Sequence, residues 1–370
     1  MNQESYYNLI SGRNKGFWVC LLYNILVTVS KIYSVIIRLR NFFYDKHIFA
    51  IHHAQAAVIC VGNITAGGTG KTPLVVWLCN EIIKKERNKP DEYKLAILTR
   101  GYKTTQNSKL KTQNYVDEPA IFAESCPQAN VIVNPNRVIG GAQAIGKYSS
   151  NILVMDDGFQ HRRLSRDLDI VTIDATCPFG YGRIIPAGLL REPVSSLKRA
   201  DAVVITRSDQ ASEFQLKQIE NKIRKIKPNI LIARSVHQTV HVNTIDNRQI
   251  ALEQFKGKKV FTFCGIGNPD SFINSLKKLD YEIAGSKFFD DHYHYTDSCL
   301  AEMKKQTQNL GVEVILTTQK DWTKIRLLKS AKDMPLAYLA IELKFLAGEN
   351  ELRDLIEDTL AGKILGIVND

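Results

Sequence analysis

Residues 61–73, VGNITAGGTGKTP, set four glycines, a lysine and three threonines between an apolar run and a stretch of helical periodicity. AAVICVGN (56–63) reads as a buried strand, and TPLVVWLCNEIIKK (72–85) as a helix with apolar residues at Leu74, Trp77, Leu78 and Ile82. A glycine loop between a strand and a helix is the setting that a phosphate-binding loop requires. Gly67, Gly68 and Gly70 let backbone N–H groups turn toward phosphate oxygens with no Cβ in the way, and the helix N-terminus adds its positive dipole end. On this reading Thr65, Ala66, Gly67, Gly68, Thr69, Gly70, Lys71 and Thr72 form the nucleotide cradle. Lys71 reaches the β- and γ-phosphates, and the Thr72 hydroxyl ligates Mg2+. The opening position, glycine in the general motif, is Thr65 here.

The second half of such a site belongs on another strand that ends in a carboxylate. NILVMDDGFQH (151–161) has the form, an apolar run followed by Asp156 and Asp157. Adjacent carboxylates beside a triphosphate repel it unless a cation is shared, so both are candidate Mg2+ ligands. Neighbours on a strand face opposite ways, so both reach one cation only if the strand ends there, as Gly158 suggests. Further strands read at 95–101, 168–174, 201–209, 259–267, 312–318 and 336–343, with helical stretches at 210–226, 270–279 and 297–310. This alternation predicts an α/β fold: a P-loop NTPase-like core with a largely parallel sheet, and a smaller C-terminal α/β unit. The expected divisions are 1–50 for an N-terminal membrane-associated helix, 51–235 for the core and 236–370 for the C-terminal unit. The polar segment 235–258 is the expected linker.

The seven cysteines are scattered with no CxxC pair, which suggests neither a disulfide framework nor a zinc site. A net charge of +11 favours anionic partners, but no basic motif interleaved with aromatics is present, so nucleic acid is not expected. The N-terminal stretch GFWVCLLYNILVTVSKIYSVIIRLRNFFY (16–44) is apolar on all sides through Val29 and then amphipathic. A helix over 17–37 spans roughly 31 Å, near the thickness of a bilayer's hydrocarbon core. Asn24, Thr28, Ser30 and Lys31 interrupt it, and no cleavage site follows. The first 53 residues carry six Lys/Arg against two Asp/Glu, so the helix is expected to dip into, or anchor at, an anionic membrane surface. The alternative is a helix packed on its own protein.

Two other motifs compete. VVITRSD ends where a GTPase carries its guanine-reading N-K-x-D, with Thr206 for Asn and Arg207 for Lys. The glycine loop also resembles that of membrane-associated partitioning ATPases, whose signature lysine is Ala66 here. A membrane-associated NTPase switch and a kinase for a soluble metabolite therefore stand beside a lipid-directed kinase.

Motifs along most of the chain decide among these. VGNITAGGTGKTP, TRGY (99–102), DEP (117–119), NR (136–137), MDDGFQH (155–161), PAGLLREP (186–193), ITR (205–207), GIGNP (265–269) and DHYHYT (291–296) together resemble the tetraacyldisaccharide 4′-kinase family. The resemblance runs from about residue 16 to about residue 345, and Thr65 is normal in that family. It implies transfer of the γ-phosphate of ATP to the 4′-hydroxyl of a tetraacylated glucosamine disaccharide 1-phosphate. The setting it implies is the cytoplasmic face of the bacterial inner membrane. It further implies that Asp117 is the catalytic aspartate, that His292 works with it, and that Arg137 stabilises phosphate charge. His294 is a competitor for His292, with a plain structural role for either as the third reading. Gln160, Arg191 and Glu192 match positions near metal or substrate, with an Arg191–Glu192 ion pair as the alternative.

Overall fold

The computed structural model describes residues 3–13, 16–86, 93–101, 117–246 and 248–368, so Tyr102 of TRGY lies outside the described residues. In chain order the elements begin with α1 (Gln3–Ile10), α2 (Phe17–Asp45), β1 (Ala57–Asn63), α3 (Lys71–Glu86), β2 (Leu95–Thr99), α4 (Glu118–Ser125) and β3 (Asn130–Val133). Next come α5 (Arg137–Tyr148), β4 (Ile152–Asp156), β5 (Leu168–Asp174), β6 (Ala202–Thr206), α6 (Glu213–Arg224) and β7 (Leu231–Thr244). Then follow β8 (Gln249–Ile250), β9 (Lys259–Cys264), α7 (Pro269–Lys277), β10 (Glu282–Phe288) and α8 (Asp297–Asn309). The chain closes with β11 (Val314–Thr318), α9 (Gln319–Ile325), β12 (Leu336–Ala347) and α10 (Glu349–Val368).

Two compact units result, each discontinuous in sequence: Met1–Arg100, Gln128–Val236 and Leu343–Asp370 form the first, and Gly101–Pro127 with His237–Glu342 form the second. The sequence reading placed everything after 235 in one unit and Asp117 in the other. Instead α10 belongs to the first unit, because Leu352, Ile356 and Leu360 bury their side chains, Arg353 pairs with Glu81 of α3, and Phe345 meets Trp77 at 4.7 Å. Residues 117–127 belong to the second, where α4 packs on α9.

In the first unit the strands lie in the order β3–β2–β4–β1–β5–β6, all parallel, with the start of β7 beside β6. Strands β1, β4 and β5 are buried along their whole length, which is why they read as unbroken apolar runs rather than alternating ones. Val61 pairs in register with Asp156, and Asn63 with Thr172. The loops that leave β1, β4, β5 and β6 therefore emerge at the same edge of the sheet, where ligands bind in folds of this class. In the second unit β10–β9–β11–β12 are parallel, and β8 pairs antiparallel with the end of β7. Phe261, Phe263, Tyr295, Trp322 and Leu336 are among its core residues.

The segment expected as an irregular linker is ordered. SVHQTVHVNT continues β7 to Thr244, and Phe255 is buried in a short 3-10 turn. Polar residues alternating with valine suit a strand whose faces are only partly covered. Helix α2 also runs further than expected, 29 residues or ~44 Å. One side is seated on the first unit: Ser30 and Ile37 are buried, and the Ser30 hydroxyl donates to the Ile184 carbonyl at 2.6 Å. The outer side is apolar and exposed, with Phe17 at 78% and Trp18 at 77% accessible and Ile25, Ile32, Ile36 and Leu39 following.

Gly62, next to last in β1, ties this sheet to the aspartate segment. A Cβ there would lie 2.6 Å from Phe159 Cβ and 2.8 Å from the Phe159 backbone nitrogen. Gly62→Ala is therefore expected to destabilise the protein by about 1–3 kcal/mol. Gly146→Ala, in α5 with nothing within 4 Å of the added carbon, should be neutral or stabilising by up to ~1 kcal/mol. Urea unfolding midpoints of the two variants check the contrast, and equal midpoints would contradict it.

Candidate active site

The glycine loop begins where β1 ends, and α3 starts at Lys71. Buried polar groups fix the loop from beneath. Asn63 Nδ2 donates to the Thr65 carbonyl at 2.7 Å and to Thr69 Oγ1 at 3.0 Å, and Thr69 Oγ1 lies 2.8 Å from Thr172 Oγ1. The Thr206 hydroxyl donates to the Thr69 carbonyl at 2.9 Å, and Arg207 to the Gly68 carbonyl at 2.9 Å while it pairs with buried Asp174. Thr206 and Arg207 thus serve the loop's own backbone. Gly67 and Gly70 have φ of +104° and +79°, a region that a side chain rarely adopts. The Ala66 N–H is committed to Leu189 O at 2.6 Å and the Thr69 N–H to Gly67 O at 3.1 Å. The first turn of α3 adds amides that have no partner within the helix.

Strand β4 ends at Asp156, and the chain turns at once, since Asp157 has φ +50°. Asp156 is buried, its Oδ2 accepting from Thr99 Oγ1 at 3.1 Å, while its carbonyl accepts from Arg137 at 3.0 Å. Arg137 also bonds the Asn134 carbonyl at 2.7 Å, so its guanidinium is held beside the aspartate pair by backbone. Asp157 meets Lys71 Nζ at 3.4 Å and Arg191 at 2.9 Å. Burial pushes the Asp157 carboxyl upward, but Lys71 and Arg191 outweigh it and hold the group well below the usual carboxylate range. Gln160 bridges them, donating to the Asn63 carbonyl at 2.8 Å and accepting from Arg191 at 3.5 Å.

Arg191 and Glu192 do not pair with each other. The chain bends at these two residues, and Arg191 faces Asp157 while Glu192 turns to α2. There Glu192, 0% exposed, accepts from Arg199 at 3.0 Å, Asn41 at 2.9 Å and Arg40 at 3.3 Å. Burial raises the Glu192 carboxyl, but Arg199, Asn41 and Arg40 outweigh it and set it below its usual value of 4.5.

The second unit holds the other candidate pair. Asp117 Oδ2 lies 3.4 Å from His292 Nδ1, whereas His294 is exposed. Both members have left-handed backbones, φ +58° at Asp117 and +61° at His292, a strain of about 1–3 kcal/mol each that marks functional sites more often than scaffolding. Helix α9 supplies residues that sequence reasoning passed over. Lys324 Nζ sits 2.8 Å from Asp117 Oδ1, and Thr323 Oγ1 accepts the Asp117 N–H at 3.0 Å. Lys320 sits 3.0 Å from Glu118 and 3.1 Å from Asp291. Burial raises the Asp117 carboxyl, yet His292 and Lys324 prevail and keep it below 3.8, an anion at neutral pH. Ligand atoms of Asp117, Glu118 and His292 lie within 4.8 Å of one another, but two lysines already neutralise the acids. The available signal was the spacing of TQKDWTK, which puts Lys320 and Lys324 four apart on one face of a helix.

Comparison with known proteins covers both units. The family model described as tetraacyldisaccharide-1-P 4′-kinase matches residues 22–361. A tetraacyldisaccharide 4′-kinase of Halothermothrix orenii is 32% identical over 344 residues, covering 87% of this chain and 88% of that one. One from Chlorobaculum tepidum is 34% identical over 360 residues, covering 91% and 97%. A crystal structure of LpxK from Aquifex aeolicus in complex with ATP superposes with a TM-score of 0.69 at 28% identity, covering 92% of this chain and 99% of that one.

Glu192 generates the pH prediction. Glu192→Gln leaves two guanidinium groups facing a neutral amide and is expected to destabilise by about 3–5 kcal/mol at neutral pH. Because the folded carboxyl titrates below 4.5, its contribution is complete above that value and is lost as pH falls through the lower folded value. The stability gap between wild type and variant should therefore be widest above pH ~5 and close on acidification. Urea titrations at several pH values measure it, and a gap that widened with acid would refute the assignment.

Proposed function

The chain belongs to the tetraacyldisaccharide-1-P 4′-kinase family, and from that premise we propose how its residues divide the work. The protein is an ATP-dependent kinase that transfers the γ-phosphate to the 4′-hydroxyl of tetraacyldisaccharide 1-phosphate in lipid A biosynthesis. The loop from Thr65 to Thr72 holds the ATP phosphates, with Lys71 on the β/γ-phosphate oxygens; Asp157 holds that lysine extended toward the loop. Hard oxygen donors suit Mg2+: the Thr72 hydroxyl and the Asp156 and Asp157 carboxylates would hold it, and when bound it would neutralise charge on the phosphate oxygens. Arg137, fixed by backbone carbonyls, adds positive charge on the same side.

Asp117 accepts the proton of the 4′-hydroxyl, and His292 supports it. This pair carries the reading, because a nucleotide switch has no acceptor hydroxyl to deprotonate and no use for a buried carboxylate against an imidazole. Gln160 and Arg191 keep Asp157 and the loop in register, and Glu192 acts through the seat of α2. The exposed apolar side of α2, with the basic N-terminal balance, holds the protein on the anionic cytoplasmic face of the inner membrane, where its lipid substrate resides.

Lys71→Ala and Thr72→Ala should each abolish label transfer from γ-labelled ATP to the lipid acceptor. Asp117→Ala and His292→Ala should lower turnover by about 10²–10⁴-fold with ATP affinity little changed. Their double substitution should cost far less than the product, since the pair acts as one unit. His294→Ala should be mild, and a sensitive His294 beside a tolerant His292 would overturn the pairing.

A second measurement concerns α2. Paired Ile25→Asp and Ile32→Asp substitutions place charge on the exposed face without touching Ser30, Ile37 or Glu192. They should shift the protein from vesicles containing anionic lipid to the supernatant on sedimentation while ATP binding persists. Unchanged sedimentation would remove the membrane role from this face.

A further inference from the structure

Lys320 is placed so that its whole hydrogen-bonding capacity is directed at the groups around Asp117. An ammonium has three N–H donors and no acceptor. Three acceptors surround this one: Glu118 Oε1 at 3.0 Å, Asp291 Oδ1 at 3.1 Å and His292 Nε2 at 3.2 Å. Helix α9 is itself locked in place, because buried Asp321 accepts from the Gly265 N–H at 3.0 Å, the Tyr295 hydroxyl at 3.0 Å and the Thr318 hydroxyl at 2.7 Å. Lys320, Thr323 and Lys324 share the side of α9 that meets Asp117, Glu118 and His292.

These contacts constrain where the imidazole carries its proton. Asp117 is a carboxylate and can only accept, so Nδ1, 3.4 Å from Oδ2, must be the N–H. Lys320 can only donate, so Nε2 must be the bare nitrogen. The two constraints come from opposite sides of the ring and agree. Turning the ring over would put carbon-bound hydrogens against both charged groups. Among the described residues, other charges facing this cluster include Asp291 Oδ2, 3.9 Å from Nε2 and more distant than Lys320, and Lys324, which lies on the far carboxylate oxygen. Burial disfavours the Lys320 ammonium, but Glu118 and Asp291 more than restore it and raise its pKa well above the ordinary lysine value.

We propose that Lys320 is a positioning residue for phosphoryl transfer: it holds His292 as the neutral tautomer with hydrogen on Nδ1, which donates to Asp117 and aims that carboxylate at the acceptor hydroxyl. This rests on the reading of Asp117 as the base. The hydroxyl proton passes to Asp117, while the hydroxyl oxygen bonds the γ-phosphorus and the bond to ADP breaks. His292 does not take the proton, because a second N–H would point its charge at the Lys320 ammonium.

The test is ¹⁵N NMR of full-length protein in detergent micelles with ring-labelled histidine, the His292 signals being assigned by their loss in His292→Gln. Wild type should show a protonated Nδ1 and a bare Nε2. Lys320→Met should let a second hydrogen onto Nε2, since Asp117 keeps the one on Nδ1, and lower kcat by about tenfold to a hundredfold, with KM for ATP unchanged. Lys320→Arg, which keeps a charged donor, should restore the tautomer and part of kcat. A protonated Nε2 in wild type overturns the proposal without any variant having to fold, and so does an unchanged tautomer in Lys320→Met. Failure of the underlying reading looks different: Asp117→Ala would keep full turnover while the wild-type tautomer stood as inferred.

Discussion

A run of buried hydroxyl, amide and guanidinium contacts holds the glycine loop, and the loop's shape depends on it. Asn63, Thr69, Thr172, Thr206 and Arg207 come from the ends of β1, β5 and β6 and from the loop itself, and each satisfies a backbone or side-chain oxygen beneath the glycines. In a buried setting, an unmet donor or acceptor costs more than a formed bond returns, so these groups enforce one loop shape. The parallel register of the sheet is what lets them meet, since it brings the ends of neighbouring strands to one edge. Glycine alone makes such a loop possible; the hydroxyls beneath it select a single conformation.

The segment 184–192 joins that loop to α2. On one side its backbone pairs with the loop's entry, Arg191 N–H to Ile64 O at 2.7 Å and Ala66 N–H to Leu189 O at 2.6 Å. On the other it receives the Ser30 hydroxyl, the Tyr6 hydroxyl and, through Glu192, Arg40 and Asn41. Polar contacts therefore seat a helix whose apolar side is left exposed. Ordinary amphipathic helices do the reverse, burying the apolar face and solvating the polar one. The inversion is what a helix needs if lipid, rather than protein, is to cover its outer face.

In the second unit the strain at Asp117 and His292 persists because the surroundings overdetermine it. Thr323 takes the Asp117 amide, Lys324 one carboxylate oxygen and His292 the other. An aspartate buried with opposite charges stays ionised against its desolvation, which is the state a base must begin from.

Local chemistry made part of this protein readable from residues alone. The strand–glycine loop–helix unit, β5 at 168–174 and the aspartates at the end of β4 follow from periodicity and from glycine's freedom, which act within a few residues. The motif set pairs Asp117 with His292 only by resemblance, and the structure sets the two 3.4 Å apart. Other features were unreadable because their cause is remote. Glu192 and Asn41 lie 151 residues apart, and no spacing rule links a carboxylate to a helix that distant. The return of α10 to the first unit depends on its buried Leu352, Ile356 and Leu360 and its packing on β1, and Lys320 and Lys324 look like a solvated charge pair until α4 is packed against them. Sequence determined where most of the buried strands and the glycine loop fall, because those signals are short-range. Tertiary structure alone decided which charges are buried together, because burial and pairing exist only once distant segments share a core.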